Sequence, residues 1–435
     1  MTRTGIAYAA IACAGLFSEG VFAQVDPYAA LTAEALANNP EIRAARAERE
    51  AARQRVYAAG ALDDPMVETG VVNMPATSRS LTQEDMTMKM IGLSQRLPFP
   101  GKRDLRRELA ARDADASAQG YRETVNRVLR ELRIAVTEVQ ATADAERIAL
   151  ASRDTLQRLL RVAEARYAVG QGSQADVLRA QTQVTKMSDE LARLARERAN
   201  AQNELSRLLA RHDAPAPALD LPAPAEDLRL DPPRLLEEAL RQRPQLLALR
   251  AMADKGARGI DLARKDGWPD FDLRLSYGQR SPAPDGMRRE NVVSFTVAFN
   301  LPVWRGSKTE PRIAEAHASR DQAVAMLDAQ QQELGMRLHH QVLAAEQELA
   351  SLRRYEREIL PQARLTVDAA ASAYRVGRVD FLTLLDNQMA VLNYETARVR
   401  ALASHRKALA EIDFLTGRLA RAAQDGPELS SGARP

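Results

Sequence analysis

The sequence predicts a mainly α-helical protein with a small β part, built twice from one plan. Three observations lead there. Apolar residues recur at heptad spacing over long stretches. Two segments alternate strictly between apolar and polar residues. And one fifteen-residue phrase occurs twice: "YAVGQGSQADVLRAQ" (Tyr167–Gln181) returns without a gap as "YRVGRVDFLTLLDNQ" (Tyr374–Gln388), an offset of 207. Composition agrees, with 4% aromatic and 27% charged residues and abundant Ala, Leu, Arg, Glu and Gln, the signature of long helices. A net charge of +3, and no basic cluster interleaved with aromatics, argue against a nucleic-acid partner.

The N-terminus is of different material. Arg3 precedes an apolar stretch from Ile6 to Phe17, and small residues stand at Val21 and Ala23. This reads as a secretory signal over residues 1–23, cut after Ala23. The lone cysteine, Cys13, lies inside it, so the mature chain forms no disulfide. "AIAC" loosely resembles a lipobox, which makes lipidation of Cys13 the alternative to cleavage after Ala23. Beyond Ala23 no apolar run approaches the ~18 residues of a spanning helix, so membrane insertion would require a barrel.

The first structural repeat covers 24–210 and the second 234–421. "EALANNPEIRAAR" (Glu34–Arg46) matches "EALRQRPQLLALR" (Glu238–Arg250) at an offset of 204, and the same offset aligns Pro65 with Pro269 and Leu97–Pro98 with Leu301–Pro302. Residues 211–233 form a Pro-rich connector with no helical period, and 422–435 a polar C-terminal tail. Each repeat reads helix, two strands, long helix, turn, helix. In the first, Val125, Leu129, Leu132, Val136, Val139 and Ala143 step by four and three. Val177, Ala180, Val184, Met187, Leu191, Leu194, Ala201, Leu205 and Leu208 keep that step after the turn, with Arg198 the one break. Such spacing packs helices side by side as coiled coils. No proline interrupts Lys102 to Val169, which allows a helix on the order of 100 Å at 1.5 Å per residue.

The strands alternate. Val293, Phe295, Val297, Phe299 and Leu301 share one face, opposite Ser294, Thr296, Ala298 and Asn300; Phe271, Leu273, Leu275 and Tyr277 stand opposite Asp272, Arg274 and Ser276. This fits a sheet covered by helices or, in an exported protein, a barrel with lipid outside and water inside. Two strands per repeat give four per chain, too few to close a barrel, which takes about eight. Three chains would supply twelve.

Signal, tandem repeats, paired strands between long helices and a glycine turn once per repeat together resemble the TolC family of outer-membrane efflux channels, over nearly all of the mature chain. The resemblance implies a homotrimer with a twelve-stranded outer-membrane β-barrel and a coiled-coil helical barrel across the periplasm. It implies a periplasmic adaptor (a membrane fusion protein) and an inner-membrane pump of the RND type as partners, no cofactor, and transport without catalysis. Val169, Gly170, Val376 and Gly377 then lie at hairpin tips that dock the adaptor, with Leu178 and Leu385 restarting the apolar seam. A periplasmic gate is implied at Tyr374, Asp176, Asp380, Asp386 and Arg378, with Tyr374 meeting Asp176. The family's gate arginine falls two residues after the glycine, where this chain has Val379 and places Arg378 one earlier.

"MTMKMIGLSQRLPFPGKR" (Met86–Arg103) resembles the heavy-metal cation branch, which serves copper and silver or cobalt, zinc and cadmium. The offset of 204 puts Met86, Met88 and Met90 in phase with Ser294 and Thr296 on the lumen-facing side. Thioethers are soft ligands for Cu(I); methionine equally fills space in a strand. His212, His317, His339, His340 and His405 form no zinc motif, and neither a phosphate loop nor a nucleophile motif is present. The reading is an exit duct for metal cations. A duct for drugs or organic solutes, and a poreless periplasmic coiled-coil scaffold, are the alternatives.

Overall fold

The computed structural model describes residues 28–211, 221–224 and 229–425. The expected signal, Cys13, His212 and most of the expected connector lie outside them.

The first repeat begins with α1 (Ala29–Asn38) and α2 (Pro40–Ala59). The sequence leads to one helix here, but Asn39 and Pro40 divide it. Asn39 leaves the helical region, its side chain accepts from the Glu41 and Ile42 N–H groups, and Pro40 opens α2, where no N–H is needed. The Asn39 amide also donates to the Leu208 carbonyl at 2.9 Å, so the cap ties α2 to the far end of the hairpin. Strands β1 (Met66–Val72) and β2 (Met88–Leu97) follow, then α3 (Lys102–Ala168) and α4 (Gln174–Leu209). The second repeat supplies α5 (Pro232–Gln242), α6 (Pro244–Lys265), β3 (Phe271–Arg280), β4 (Val292–Phe299), α7 (Glu310–Arg354), α8 (Leu360–Arg375), α9 (Phe381–Thr416) and α10 (Arg418–Asp425).

The repeats differ in their long helix. The first is one α-helix of 67 residues. The second widens to π geometry at Tyr355–Ile359, just before Pro361. Proline cannot donate to the preceding turn, and here the π segment takes up the break. Toward the C-terminus, α10 runs to Asp425 and buries Ala423, so the helical part continues four residues into the stretch expected as tail. Leu221 of the connector is also buried, and Arg406 donates to its carbonyl at 3.2 Å.

One core joins both repeats. Leu31, Ile42, Val128 and Leu132 of the first repeat pack with Leu246, Leu334, Leu338 and Leu415 of the second. A second cluster lies toward the hairpin ends and contains Leu156, Ala163, Met187, Leu194, Tyr374, Phe381 and Leu385. The heptad positions Val125, Leu129, Leu132 and Val136 are all buried, and Arg198, the break in the seam, turns outward to pair with Glu146 at 2.7 Å.

The four strands form one antiparallel sheet in the order β1-β2-β3-β4. Its register places Val67, Leu93, Leu275 and Phe295 in one row and Glu68, Gly92, Ser276 and Ser294 in the next. Side chains alternate across a sheet, so the first row lies on one face and the second on the other. The first face is apolar and open: Val67 and Val293 are each 68% exposed and Phe295 67%. On the second face Arg274 of β3 reaches Glu68 of β1 at 3.1 Å across Gly92, whose missing side chain leaves room.

Candidate functional site

The two hairpin turns are built alike. At α3–α4 the Gln171 N–H donates to the Arg166 carbonyl at 2.8 Å and the Gly170 N–H to Tyr167 at 3.0 Å. At α8–α9 the Arg378 N–H donates to Ala373 at 2.9 Å and the Gly377 N–H to Tyr374 at 3.1 Å. Both are Schellman motifs, which need a left-handed residue just past the helix; Gly170 and Gly377 supply it at φ 72° and 75°. Val169 and Val376 stand beside them, 68% and 69% exposed.

The helices that follow are capped by side chains. Ser173 and Asp176 make a capping box at the start of α4. Asp380 caps α9 by accepting from the Thr383 N–H at 3.1 Å, and hydrogen bonds from the Thr383 hydroxyl and N–H hold its carboxyl below the usual range. Asp386 and Arg378 are exposed.

Beneath the turns the copies part. Tyr374 is only 6% exposed and its ring lies 5.7 Å from that of Phe381. Arg166, from the last turn of α3, crosses between the hairpins. Its guanidinium sits 4.6 Å over the Tyr374 ring and donates to the Tyr374 carbonyl at 2.6 Å. Burial pushes the Tyr374 phenol above its ordinary value; Arg166 opposes this and the charge of Asp176 adds to it. The expected Tyr374–Asp176 hydrogen bond is not made within the chain. Asp176 is turned to its own helix, where it accepts from the Ser173 N–H, and Arg166 is the residue that joins the hairpins. The sequence signal for Arg166 was present: at an offset of 207 its counterpart is Ala373, a mismatch one residue before the repeated tyrosine. Leu178 also differs from expectation. It is 54% exposed, and Ala180 carries the seam instead, whereas Leu385 is 3% exposed.

In the sheet, Met88 and Met90 lie on the polar face, in phase with Gly92 and Ser276. Met88 packs across Gly278, where a Cβ would fall 2.3 Å from its sulfur. Met86 precedes the strand, in the β1–β2 turn, with its sulfur 3.7 Å from the Arg280 guanidinium. Ser294 and Thr296 share the polar face. Among the described residues no three His, Cys, Asp or Glu side chains are grouped to hold a metal ion, and no helix is long and apolar enough to cross a membrane.

Long paired helices joined to a sheet with one open apolar face match a known architecture. The family model described as outer membrane efflux protein matches residues 31–211 and 235–418, one window for each repeat. The chain belongs to the outer membrane efflux protein family. It is thus an outer-membrane channel of the TolC type, with its helical part in the periplasm. Among curated proteins it is similar to the cobalt-zinc-cadmium resistance protein CzcC of Cupriavidus metallidurans, 24% identical over 396 residues and covering 88% of each chain. Among solved structures it is similar to the outer-membrane channel OprN, with a TM-score of 0.77, 20% identity and 90% of each chain covered. It is also similar to CusC, with a TM-score of 0.75, 15% identity and coverage of 90% and 92%.

Proposed function

We propose that this channel is the trimeric exit duct of a tripartite efflux system for heavy-metal cations, fed by an inner-membrane pump of the RND type through a periplasmic adaptor. The cargo rests on one observation, the likeness to a cobalt-zinc-cadmium resistance protein along nearly the full length of both chains. The polar strand face with Met88 and Met90 lines the lumen in this reading, and the open apolar face meets lipid. Four strands cannot close a barrel, so three chains close it together. The exposed valines and glycines of the two turns dock the adaptor.

At rest the duct is shut at the hairpin tips. Arg166 and Tyr374 hold the first hairpin against the second, and Asp176 contributes by charge. Asp380 serves as a helix cap, while Asp386 and Arg378 offer exposed charge at the mouth.

Deletion and complementation in the native host test the cargo. Loss of the channel should lower tolerance to cobalt, zinc and cadmium, or to copper and silver, and leave tolerance to drugs unchanged. The opposite pattern would make organic solutes the cargo. Light scattering of the detergent-extracted protein tests assembly: a monodisperse monomer would contradict the closed barrel, and a poreless scaffold would give no conductance in planar bilayers.

A further inference from the structure

Sheet and helices meet at a junction that is built once inside the chain and left half-built at both of its edges. Inside, the α3 start meets the β3 start. Lys102 is 2% exposed, and its ammonium donates to Asp270 and to the Trp268 carbonyl, both at 2.8 Å. The Phe99 N–H donates to the same carboxylate at 2.9 Å, and the Phe99 ring stacks on Trp268 at 5.1 Å. This charge cluster, to which Arg96 adds a pair with Asp270 at 3.8 Å, and this apolar stack join the first repeat to the second here.

Groups of the same kinds stand exposed on the outer edges. After β4, the segment leading into α7, a π turn over Arg305–Thr309 preceded by Trp304, carries Trp304, Arg305 and Lys308, all exposed. Before β1, the linker after α2 carries Leu62, Asp63 and Asp64, also exposed. At the offset of 204 that aligns Pro65 with Pro269, Lys102 falls on Gly306 and Asp270 on Met66, so Lys308 and Asp64 each stand two residues from the matching position. Leu62 stands two residues before Asp64, as Trp268 stands two before Asp270. Among the described residues none of Arg305, Lys308, Asp63 and Asp64 forms an ion pair, in a chain otherwise dense with them. Trp304 is 72% exposed, against the stacked Phe99 of the internal junction. The cationic half sits beside the free edge of β4 and the acidic half beside the free edge of β1.

We propose that Lys308 of one copy pairs with Asp64 of the next, flanked by Arg305 and Asp63, while Trp304 covers Leu62, so that each subunit boundary carries a junction of the same kind as Lys102–Asp270. The occupant of these edges is therefore a second copy of this chain. A head-to-tail contact whose rotation closes makes a ring; in a trimer three internal and three intersubunit junctions then alternate. This rests on the trimeric reading above, and adds which side chains hold the copies together where lipid ends and water begins.

The only cysteine lies in the leader, so introduced cysteines report alone. Full-length protein carrying Lys308→Cys and Asp64→Cys together, treated in outer-membrane vesicles with a short bismaleimide, should yield dimer and trimer bands on a denaturing gel. Neither single variant should do so. A parent that runs as a heat-modifiable trimer while the double variant stays monomeric on the gel would overturn the pairing and leave the trimer intact. A monomeric parent would overturn the trimeric reading itself. Charge reversal gives a second readout. Lys308→Glu and Asp64→Lys should each lower the temperature at which the trimer dissociates, and the two combined should restore most of the loss. A combined variant no better than the worse single one would also refute the pair.

Discussion

The two hairpin tips share one backbone and differ in what they bury. Tyr167 is 50% exposed and Tyr374 6%; Leu178 is 54% exposed and Leu385 3%. The turns above them have the same hydrogen bonds and the same left-handed glycine. The divergence comes from two positions. Phe381 of the second hairpin lies over Gln174 of the first at an offset of 207, and Arg166 of the first lies over Ala373 of the second. Phe381 gives the second tip a ring to pack Tyr374 against, and Arg166 reaches across from the first to cover it. Duplication conserved the reversal of the chain; substitution beneath it made one hairpin the anchor and the other the clasp.

Truncation of the anchor should show the difference most strongly. Phe381 is 1% exposed, and Phe381→Ala should cost about 3–5 kcal/mol, as expected for a large ring removed from a packed site. Gln174→Ala, at the matching exposed position, should change stability by less than about 0.5 kcal/mol. Hydrogen exchange at the two tips would show it: protection lost around Tyr374 in the first variant and unchanged in the second. Equal effects would mean that the tips are not differentiated by packing.

The clasp should come next. Arg166→Ala removes a charged donor from the Tyr374 carbonyl and a cation from its ring. Hydrogen bonds to charged groups contribute about 1.5–3 kcal/mol and a cation–π contact about 0.5–2 kcal/mol, shared here by one side chain. Arg166→Lys should recover only part, because an ammonium cannot offer the same planar fork. Exchange rates at Tyr374 and Arg378 would order the parent, lysine and alanine variants in that sequence.

The glycines should show where the tips remain alike. Gly170→Ala and Gly377→Ala each place a Cβ on a left-handed residue, at a cost of about 1 kcal/mol. Nothing lies within 4 Å of the new atom at Gly170, and only the Arg166 guanidinium at 4.0 Å at Gly377, so strain should dominate and the two costs should match. A much larger effect at one site would show that something besides backbone conformation is held there. Aspartate at either site adds charge to the turn, and should reduce efflux and adaptor cross-linking together while trimers still form.

The smallest effect is confined to the second tip. Asp380 caps α9 with a carboxyl whose pKa is depressed by Thr383. The stabilisation is therefore present above its unfolded pKa of about 3.9 and fades as pH falls through the lower folded value. Amide exchange at the start of α9 should speed up below about pH 4 in the parent. Asp380→Asn should abolish that dependence and keep the cap, since asparagine caps as well as aspartate.

What could be read from the sequence follows from the range of the interactions. Heptad spacing marked the seam from Val125 to Val136, and strict alternation marked β3 and β4, because each pattern is set by local geometry. The doubled motif placed both turns, since a Schellman reversal needs glycine at one position. Side-chain partners across helices were not legible. Asp176 read as a gate residue through resemblance, yet its carboxylate has a nearer donor in the Ser173 N–H, three residues away. The role of Arg166 is not legible locally because its partner lies 208 residues on, and only the mismatch with Ala373 marks it. The division at Asn39–Pro40 was written in the sequence as a cap followed by proline. The π segment at Tyr355–Ile359 was signalled by Pro361 alone, which announces a disturbance without saying which kind.

We propose that the channel is held shut where Arg166 clasps Tyr374. Single-channel conductance in planar bilayers tests it most directly, with purified parent and the variants Arg166→Ala, Tyr374→Phe and Asp176→Ala. Arg166→Ala should raise resting conductance most. Tyr374→Phe should raise it less, because the ring and the carbonyl that Arg166 grips both remain, and Asp176→Ala least, because that carboxylate serves its own helix. Parent-like conductance in Arg166→Ala, with Asp176→Ala opening the channel instead, would contradict the clasp and restore a tyrosine–aspartate latch.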